Sequence, residues 1–406
     1  MGKRIEKKSA ILKKLIAGEL SFHEIDQYVK TKQAIELRRR ALEEMMGIKL
    51  KHIKQFTIDA EAVARYNIEN MIGVVQVPLG IAGPLLIDGE YAKGNFYIPL
   101  ATTEGALVAS VNRGCSAITA SGGAKAKVFL DNMTRAPVFK ASSIAEAVKL
   151  IQWVKDNFEE LKNEVKKSTR HGELLYIDAY AIGRLVYLRM AYDTKDAMGM
   201  NMVTIATERL AKIIEERTGS RLIALSGNMC VDKKPAAINL ILGRGKSVAA
   251  EAVIKREVVE KTLKTSPEAI IEVNQAKLIG SAKSASLGFN AHFANIIAAV
   301  FIATGQDAAQ VVEGACGITY TELLNEDLYI SVTIPSLEIG SVGGGTRVET
   351  QRECLQILGV HGSGSPPGLN AKKFAEIIAC SILAGELSLL GALASGHLAL
   401  AHEMKR

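Results

Sequence analysis

The order of predicted elements between residues 125 and 225 constrains the fold more than any other feature of the sequence. Strand-like segments KAKVFL and APVFKA lead into a helix over residues 143–166, two strands, a second helix over 199–217 and a last strand, RLIAL. This β-α-β-β-α-β order is the split unit of ferredoxin-like domains, whose helices can cover one face of an antiparallel sheet. No Gly-x-Gly-x-x-Gly motif follows a strand here, so a Rossmann nucleotide site is not predicted. Residues 125-225 are therefore predicted to fold as an inserted domain.

The chain around this insert is long enough for further domains, since 406 residues exceed the usual size of one hydrophobic core. Residues 1-66 contain short segments with helical periodicity and predict an N-terminal helical region. Residues 67-124 and 226-406 are predicted to form one large domain, dominated by helices rich in Ala, Gly and Ser that can pack closely. The predicted fold class is α+β: a helical N-terminal cap, a large mainly helical domain and an inserted ferredoxin-like, non-Rossmann domain.

Excess positive charge is confined to the first 54 residues. They hold 14 Lys and Arg against 7 Asp and Glu, which accounts for the whole formal net charge of +7, so the rest of the chain is neutral. A nucleic-acid enzyme normally carries basic charge around its binding face, and no nucleic-acid partner is predicted. We favour a solvated helical cap over an RNA-binding or membrane-surface arm.

The cysteines and the apolar segments indicate the cellular compartment of the protein. Five cysteines lie far apart with no Cys-x-x-Cys pair and no Cys/His cluster, so we expect reduced thiols, no disulfide framework and no metal site. The N-terminus lacks the uninterrupted apolar core of a secretory signal. The apolar stretch over residues 294–303 is well short of the roughly 20 residues that span a bilayer. We expect a soluble, cytoplasmic protein with no membrane partner.

Four polar residues stand in apolar or glycine-rich surroundings: Glu104, Lys233, Asp307 and His402. Each has an ordinary interpretation. Glu104 can be a charge at a helix start, Lys233 part of a solvated turn, and Asp307 an N-cap. His402 lies five residues from His397, which is not the spacing of two ligands on one helical face. Taken singly, the pattern favours the ordinary interpretation for each.

Two glycine-containing turns could receive a ligand. SVGGGT, over residues 341–346, follows a predicted strand and opens a helix, so its backbone can approach a phosphate or a flat ring closely. DAMGMN, over residues 196–201, opens another helix with small and flexible residues. A tight turn and simple capping are the alternatives, and neither motif alone decides between them.

Many longer motifs occur together in one order along the chain. They include ENMIG, VPLGIAGPLLIDG, ATTEGALVASVNRGC, MTRAPV, DAMGMNM, SGNMCVDKKPAAIN, FNAHFAN, TGQDAAQ, GSVGGGT and GHLALAH. With these motifs the sequence resembles the 3-hydroxy-3-methylglutaryl-CoA (HMG-CoA) reductase family, class I, of the soluble archaeal type. The resemblance runs from about residue 69 to residue 406 and implies that the large domain binds substrate and the insert binds NADP.

The resemblance implies an activity and four catalytic roles. The family reduces (S)-HMG-CoA to (R)-mevalonate and CoA by two hydride transfers from NADPH, a step of the mevalonate pathway of isoprenoid biosynthesis. Lys233 matches the residue that stabilises the oxyanion, and Glu104 matches the proton donor. Asp307 is implied to tune both of them through one hydrogen-bonded network, and His402 to protonate the departing CoA thiolate.

The resemblance also implies three sets of binding residues. Those for the dicarboxyl end of the substrate are Arg135, Ser226, Asp232, Lys234, Lys277 and Asn295. Those for CoA are Ser110, Arg113 and His292. Those for the cofactor are Thr169, Arg170, Asp196, Ala197, Met198, Gly199, Met200, Asn201, Gly343, Gly344, Gly345 and Thr346. Arg170 can pair with a 2′-phosphate, which predicts NADPH as the cofactor.

The implied partners are HMG-CoA, mevalonate, CoA and further copies of the chain, as a dimer or tetramer with the active site at the dimer interface. One alternative within the family is a degradative, NAD-dependent enzyme that oxidises mevalonate. Another class is a CoA-dependent acyltransferase or lyase with Cys115, Cys230 or Cys316 as nucleophile, although none has an adjacent His. A non-enzymatic basic binding module is a third reading, and it leaves the Lys, Glu, Asp and His set unexplained.

Overall fold

The computed structural model describes residues 2–168 and 172–396, without the side chains of residues 2–8 and 168. Helices in these ranges are α1 Gly2–Ile16, α2 Thr31–Met46, α3 Ala60–Tyr66, α4 Leu107–Ala120, α5 Ile144–Asp156, α6 Phe158–Ser168, α7 Met200–Thr218, α8 Ala237–Leu242, α9 Arg256–Val258, α10 Pro267–Lys283, α11 Phe293–Thr304, α12 Val311–Gly314, α13 Glu349–Ile357 and α14 Leu369–Ala394. Strands are β1 Leu79–Gly89, β2 Lys93–Ala101, β3 Ala124–Arg135, β4 Val138–Lys140, β5 Glu173–Ile182, β6 Leu185–Asp193, β7 Arg221–Ala224, β8 Arg244–Ile254, β9 Ile318–Leu324 and β10 Asp327–Leu337.

The largest core lies between α14 and a sheet in the order β9-β10-β8-β3-β1-β2, in which the β1–β3 pair is parallel and the others are antiparallel. On β8, Val248, Ala250, Ala252 and Ile254 point into this core at a period of two. Strands β8 and β9 were not predicted in this mainly helical domain, whereas β10 matches the strand predicted before the SVGGGT turn. Alanine is a weak strand former, so the alternation in RGKSVAAEAVI gave little strand signal.

Helix α14 is the centre of this core. Among the described residues it alone is long and apolar enough to cross a bilayer, with a mean hydropathy of 2.0, but 83% of that apolar window is buried inside the protein. Close packing with α4 depends on Gly114, because a Cβ there would lie 1.9 Å from the carbonyl oxygen of Ala384. The burial of α14 is that of a core helix in a globular fold.

A second core is built from residues between Met133 and Ile214. Its strands lie in the order β7-β4-β6-β5 with antiparallel neighbours, and α5, α6 and α7 pack against them. With α5 and α6 counted as one helix interrupted at Asn157, the element order is that of a split β-α-β-β-α-β unit. Strand β3 joins both cores, since residues 125–132 pair with β8 and residues 133–135 pair with β6. The predicted domain division at residue 125 thus falls inside a strand.

The N-terminal helices form a small separate cluster. Ile11, Leu12 and Leu15 of α1 pack against Ala34 and Leu37 of α2. The buried Arg38 side chain of α2 pairs with Asp26, which lies in the segment between the two helices. Helices α2 and α3 share a further apolar contact that includes the loop after α3. This cap lies apart from the two cores described above.

Candidate active site

Lys233 lies in a strained turn between β7 and α8. Three non-glycine residues of this turn have positive φ values: Asn228 at 65°, Val231 at 51° and Lys233 at 60°. A β-branched residue such as valine rarely adopts this region, and such strain is found where surrounding contacts enforce it. Here the Lys233 amide donates a 2.5 Å hydrogen bond to Oε1 of the buried Glu313. The turn therefore has a defined geometry that its own sequence does not favour.

The Lys233 ammonium pairs with the Asp307 carboxylate, with Nζ and Oδ2 2.7 Å apart. Asp307 follows α11, and its other oxygen caps the short helical turn at residues 308–310 by accepting the Ala309 N–H at 3.1 Å. The ordinary N-cap interpretation is therefore confirmed, and the functional interpretation stays a prediction that this ion pair allows. The side chains of Lys233 and Asp307 keep 42% and 31% of their surface exposed, so the pair is open to a ligand.

A second charged group adjoins the Lys233 turn. Asp232 Oδ1 accepts hydrogen bonds from Arg244 at 3.0 Å and Gln310 at 2.9 Å, and its Oδ2 lies 3.9 Å from Arg135. Burial raises the pKa of Asp232, but the charge of Arg244 and the Gln310 hydrogen bond outweigh it and hold the pKa below its usual value. The neighbouring Lys234 is exposed and donates to the Asp232 carbonyl at 3.2 Å.

Ser226 opens the same turn. Its hydroxyl lies 3.7 Å from the Cys230 sulfur, and the next residue, Gly227, donates to the carbonyl of Ala136 beside Arg135. Four of the six predicted carboxyl-binding residues, Arg135, Ser226, Asp232 and Lys234, thus lie on or beside one turn.

A cavity of about 690 Å³ lies next to the Lys233–Asp307 pair and includes Asp307 in its lining. The two predicted cofactor turns line it together and meet at a bridge between Ala197 and Val342. A Cβ at Gly343 or Gly344 would meet nothing within 4 Å, so these glycines face open space. Predicted cofactor residues in the lining are Ala197, Met198, Gly199, Met200, Asn201, Gly343, Gly344, Gly345 and Thr346.

Asp196 differs from its neighbours because it does not line the cavity. Its buried carboxylate accepts the backbone N–H groups of Gly364 at 2.9 Å, Gly368 at 2.7 Å and Ala371 at 3.1 Å. These groups belong to the start of α14 and the loop before it, where a helix has N–H groups without intrahelical partners. The carboxylate therefore fixes the cofactor turn to α14.

Glu104 lies at the opposite end of α11 from Asp307. Its Oε1 accepts a 3.2 Å hydrogen bond from Nδ2 of Asn295, which is in the first turn of α11. The helix has 12 residues and is about 18 Å long, and Asp307 follows its last turn. Within one chain, Glu104 therefore does not join Lys233 and Asp307 in a single hydrogen-bonded network, and the predicted network requires Glu104 of another copy.

The three predicted CoA-binding residues meet on one turn of α14. Ser110 and Arg113 contact the hydroxyl of Ser388 at 2.9 Å and 3.0 Å, respectively. His292 caps α11, and its Nε2 lies 2.8 Å from the Gly385 carbonyl oxygen. Burial lowers the pKa of the Arg113 guanidinium. Since Asn295 follows one turn after His292, these residues and Glu104 form one group at the start of α11.

Sequence reasoning missed the buried carboxylates that hold these groups. Glu386 of α14 accepts the N–H groups of Ala291 at 2.8 Å and His292 at 2.7 Å, and the hydroxyl of Thr319 at 2.6 Å. Glu313 does the same for the Lys233 turn. An acidic residue inside an apolar helical run, as in ILAGELSLLG, is a signal that could have identified Glu386.

Some predicted residues are not joined to either group. Lys277 lies on α10, which packs on α14 and β9, and its ammonium makes no ion pair within the described ranges. Thr169, Arg170 and His402 lie outside the described residues. Their predicted roles remain predictions.

A partly exposed lysine–carboxylate pair whose Asp307 lines a glycine-containing cavity, on a globular α+β scaffold, is typical of an enzyme active site. The sequence profile of the family described as Hydroxymethylglutaryl-coenzyme A reductase matches residues 34–406. The chain therefore belongs to the HMG-CoA reductase family, as the motifs predicted, and it is an oxidoreductase.

Relatives and a solved structure agree with this assignment. The chain is 59% identical to the 3-hydroxy-3-methylglutaryl-coenzyme A reductase of Pyrococcus abyssi over 97% of this chain and 98% of that one. It is 46% identical to reductase 1 of Dictyostelium discoideum, over 97% and 72% of the two chains. The fold is similar to the NADPH-bound class II enzyme of Streptococcus pneumoniae in open conformations, with a TM-score of 0.67 and 19% identity over 93% of this chain and 100% of that chain.

Proposed function

We propose that the chain reduces (S)-HMG-CoA to (R)-mevalonate and CoA with two molecules of NADPH, in the mevalonate pathway of isoprenoid biosynthesis. The observation that carries this proposal is the 2.7 Å Lys233–Asp307 pair at the edge of the cavity that both glycine-containing turns line. An acyltransferase using Cys115, Cys230 or Cys316 is disfavoured, because these thiols are buried and burial raises the pKa values of Cys115 and Cys316.

The test of this function is the stoichiometry of the purified protein with HMG-CoA and NADPH. A four-electron reduction of a thioester to an alcohol requires two NADPH oxidised for each CoA thiol released. A ratio of one to one, or thiol release without NADPH oxidation, contradicts the proposal.

The cavity fits the cofactor because its glycine backbone leaves open space where a diphosphate and a ring can approach closely. Residues 197–201 and 343–346 would hold it, and two NADPH molecules bound in succession would supply one hydride each. The exposed Lys233 ammonium stabilises the negative charge that forms on the thioester carbonyl oxygen when hydride adds to the carbon, and Asp307 keeps that ammonium in place. Arg135 and Lys234 offer positive charge to the substrate carboxylate on the same side.

Within one chain, Glu104 and the Lys233–Asp307 pair lie at opposite ends of α11, a helix of 12 residues and about 18 Å. We therefore infer a homo-oligomer in which a second copy places its Glu104 and Asn295 opposite the Lys233–Asp307 pair of the first. The exposure of Glu104, Lys233 and Asp307 supports this, because each half of the site opens to the surface. CoA then binds beside Ser110, Arg113 and His292 of the copy that contributes Glu104.

The domain roles are those that the resemblance implies: we propose that residues 67-124 and 226-406 bind HMG-CoA and that residues 125-225 bind NADP, with residues 1-66 as an N-terminal cap. The cavity adds the turn 343–346 of the large domain to the NADP site, and Arg135 lies on the substrate side. We propose class I on the family motifs, as the resemblance implies. We propose a cytoplasmic location, in keeping with the burial of α14.

We expect Arg170→Ala to raise the KM for NADPH strongly and to leave the KM for NADH nearly unchanged. The guanidinium would pair with the 2′-phosphate, which NADH lacks. Initial rates with each cofactor at saturating HMG-CoA measure the effect. Equal changes for the two cofactors would exclude a phosphate contact at this position.

We expect His402→Gln to depress the full reaction while largely sparing reduction of added mevaldehyde. Protonation of the CoA thiolate prevents its return to the aldehyde, and mevaldehyde reduction has no such step. His397→Gln is the neighbouring control and should leave both rates similar to each other. A His402→Gln enzyme that slows both reactions equally would refute this role.

A further inference from the structure

The strained Lys233 turn is held by a carboxylate that none of the roles above uses. Glu313, on α12, exposes only 1% of its side chain. Its Oε1 accepts the Lys233 N–H at 2.5 Å and an Arg244 N–H at 2.8 Å, and its Oε2 accepts from the Asn239 amide at 2.9 Å. Both oxygens are therefore engaged, and one of their donors is the peptide group of Lys233 itself.

Arg244 extends this contact to the other side of the pair. Its guanidinium is fully buried and donates from NH1 to Glu313 and from NH2 to Asp232, the residue before Lys233. Gln310, three residues after Asp307, donates to the same Asp232 oxygen. One set of hydrogen bonds thus fixes the peptide that carries Lys233 relative to the turn that carries Asp307.

A third carboxylate lies farther from Arg244. Glu338 is fully buried, and its nearer oxygen lies 3.6 Å from Arg244. Burial, followed by the charge of Glu313, raises its pKa well above the usual value. Arg244 lies nearer to Glu313, at 2.8 Å, and to Asp232, at 3.0 Å, and it donates its hydrogen bonds to these two carboxylates.

We propose that Glu313 is a positioning residue for the reduction, acting through the backbone of Lys233 and held in register by Arg244. The inference rests on the proposed function and deepens it, because it adds a buried group that touches neither substrate nor cofactor. A positive φ at Lys233 is unfavourable, so without the Glu313 acceptor the turn relaxes and the ammonium leaves its position opposite the thioester.

The test compares two buried carboxylates that both accept backbone N–H groups. In Glu313→Gln the side-chain amide has only one acceptor oxygen. It therefore cannot accept hydrogen bonds both from the Lys233 N–H and Arg244 and from the Asn239 amide. Glu376 is the matched control, since it accepts the N–H groups of Glu90, Tyr91 and Ala92 at the β1–β2 turn, away from the cavity. We expect Glu313→Gln to lower kcat by about 100-fold with KM values for HMG-CoA and NADPH within about threefold. Glu376→Gln should lower the Tm but keep kcat within about twofold.

If Glu313→Gln does not fold, a second variant tests the positioning role. Glu313→Asp keeps the charge for Arg244 but shortens the reach to the Lys233 N–H, so it should fold and still lose kcat. Normal kcat in whichever Glu313 variant folds, or equal losses in the Glu313 and Glu376 variants, would overturn the inference. The stoichiometry of the wild-type protein separates this inference from the proposed function. If the wild-type protein releases no thiol in the presence of NADPH, the proposed reductase function is wrong. If the wild-type protein is active and the Glu313 variant is unaffected, only the positioning role of Glu313 is excluded.

Discussion

Lys233→Ala is expected to lower turnover by about 100-fold to 1000-fold. A preorganised oxyanion partner contributes about 3 to 4 kcal/mol to transition-state stabilisation in a water-excluded site. The fold should be little affected. The ammonium makes its ion pair with Asp307 while partly exposed, and exposed pairs contribute at most about 1 kcal/mol to stability. Steady-state rates with HMG-CoA and NADPH, together with thermal unfolding of the same sample, measure both quantities.

Lys162→Ala is the matched control for this variant. Lys162 also makes an ion pair with a carboxylate, at 3.0 Å from Glu173, but it lies on α6 against β5 and away from the cavity. It should lose a similar amount of stability and none of the turnover. Near-normal rates in Lys233→Ala would mean that the turn has no chemical role and that the proposed mechanism is wrong.

Mixing two inactive variants is expected to restore activity when each damages a different half of the site. A Glu104→Gln chain paired with a Lys233→Ala chain has one site in which both groups are intact. Random pairing makes half of the dimers mixed, with one working site in two, so about a quarter of wild-type activity should return. The measurement is turnover after subunit exchange of equal amounts of the two proteins.

The structure supplies a strict control for this experiment. Lys233 and Asp307 come from the same half of the site, 2.7 Å apart in one chain. A mixture of Lys233→Ala with Asp307→Asn therefore leaves every site damaged and should stay inactive. Recovery in this second mixture, or no recovery in the first, would show that the catalytic groups are not divided between copies as proposed.

The sequence was most informative where function depends on short contiguous segments. Glycine and small residues marked the turns 196–201 and 341–346 as candidate ligand sites, and the family motifs assigned them to the cofactor. The structure brings all but Asp196 of the predicted cofactor residues in them to one cavity. The family motif SGNMCVDKKPAAIN identified Lys233. Residue identity over a few positions is the range that sequence patterns cover, whereas the positive φ values of the Lys233 turn are not favoured by its own sequence.

Features that depend on distant residues could not be predicted in this way. The spacing of Glu104 from Asp307 is set by the length and direction of α11, and no motif records it. Glu313 accepts the N–H of Lys233, which is 80 residues away in the sequence, and Glu386 accepts the N–H of His292, which is 94 residues away. Strand β8 was missed because its core positions include Ala250 and Ala252, whose preference for a strand is weak and was supplied by the neighbouring strands.

The position of α14 in the chain has a consequence for how the protein is made. Its Glu376 holds the β1–β2 turn through Ala92, a contact between residues 284 apart in the sequence. Ribosomes add about 5 to 20 residues per second, so the N–H groups of the β1–β2 turn wait roughly 15 to 60 s for their Glu376 acceptor to be synthesised. Helix α4, which packs on β1, follows β2 directly in the chain, whereas α11, which packs on β2, is made much later. The apolar face of β2 is therefore uncovered on the nascent chain until α11 has been synthesised, and aggregation and chaperone capture concern this period more than the finished enzyme.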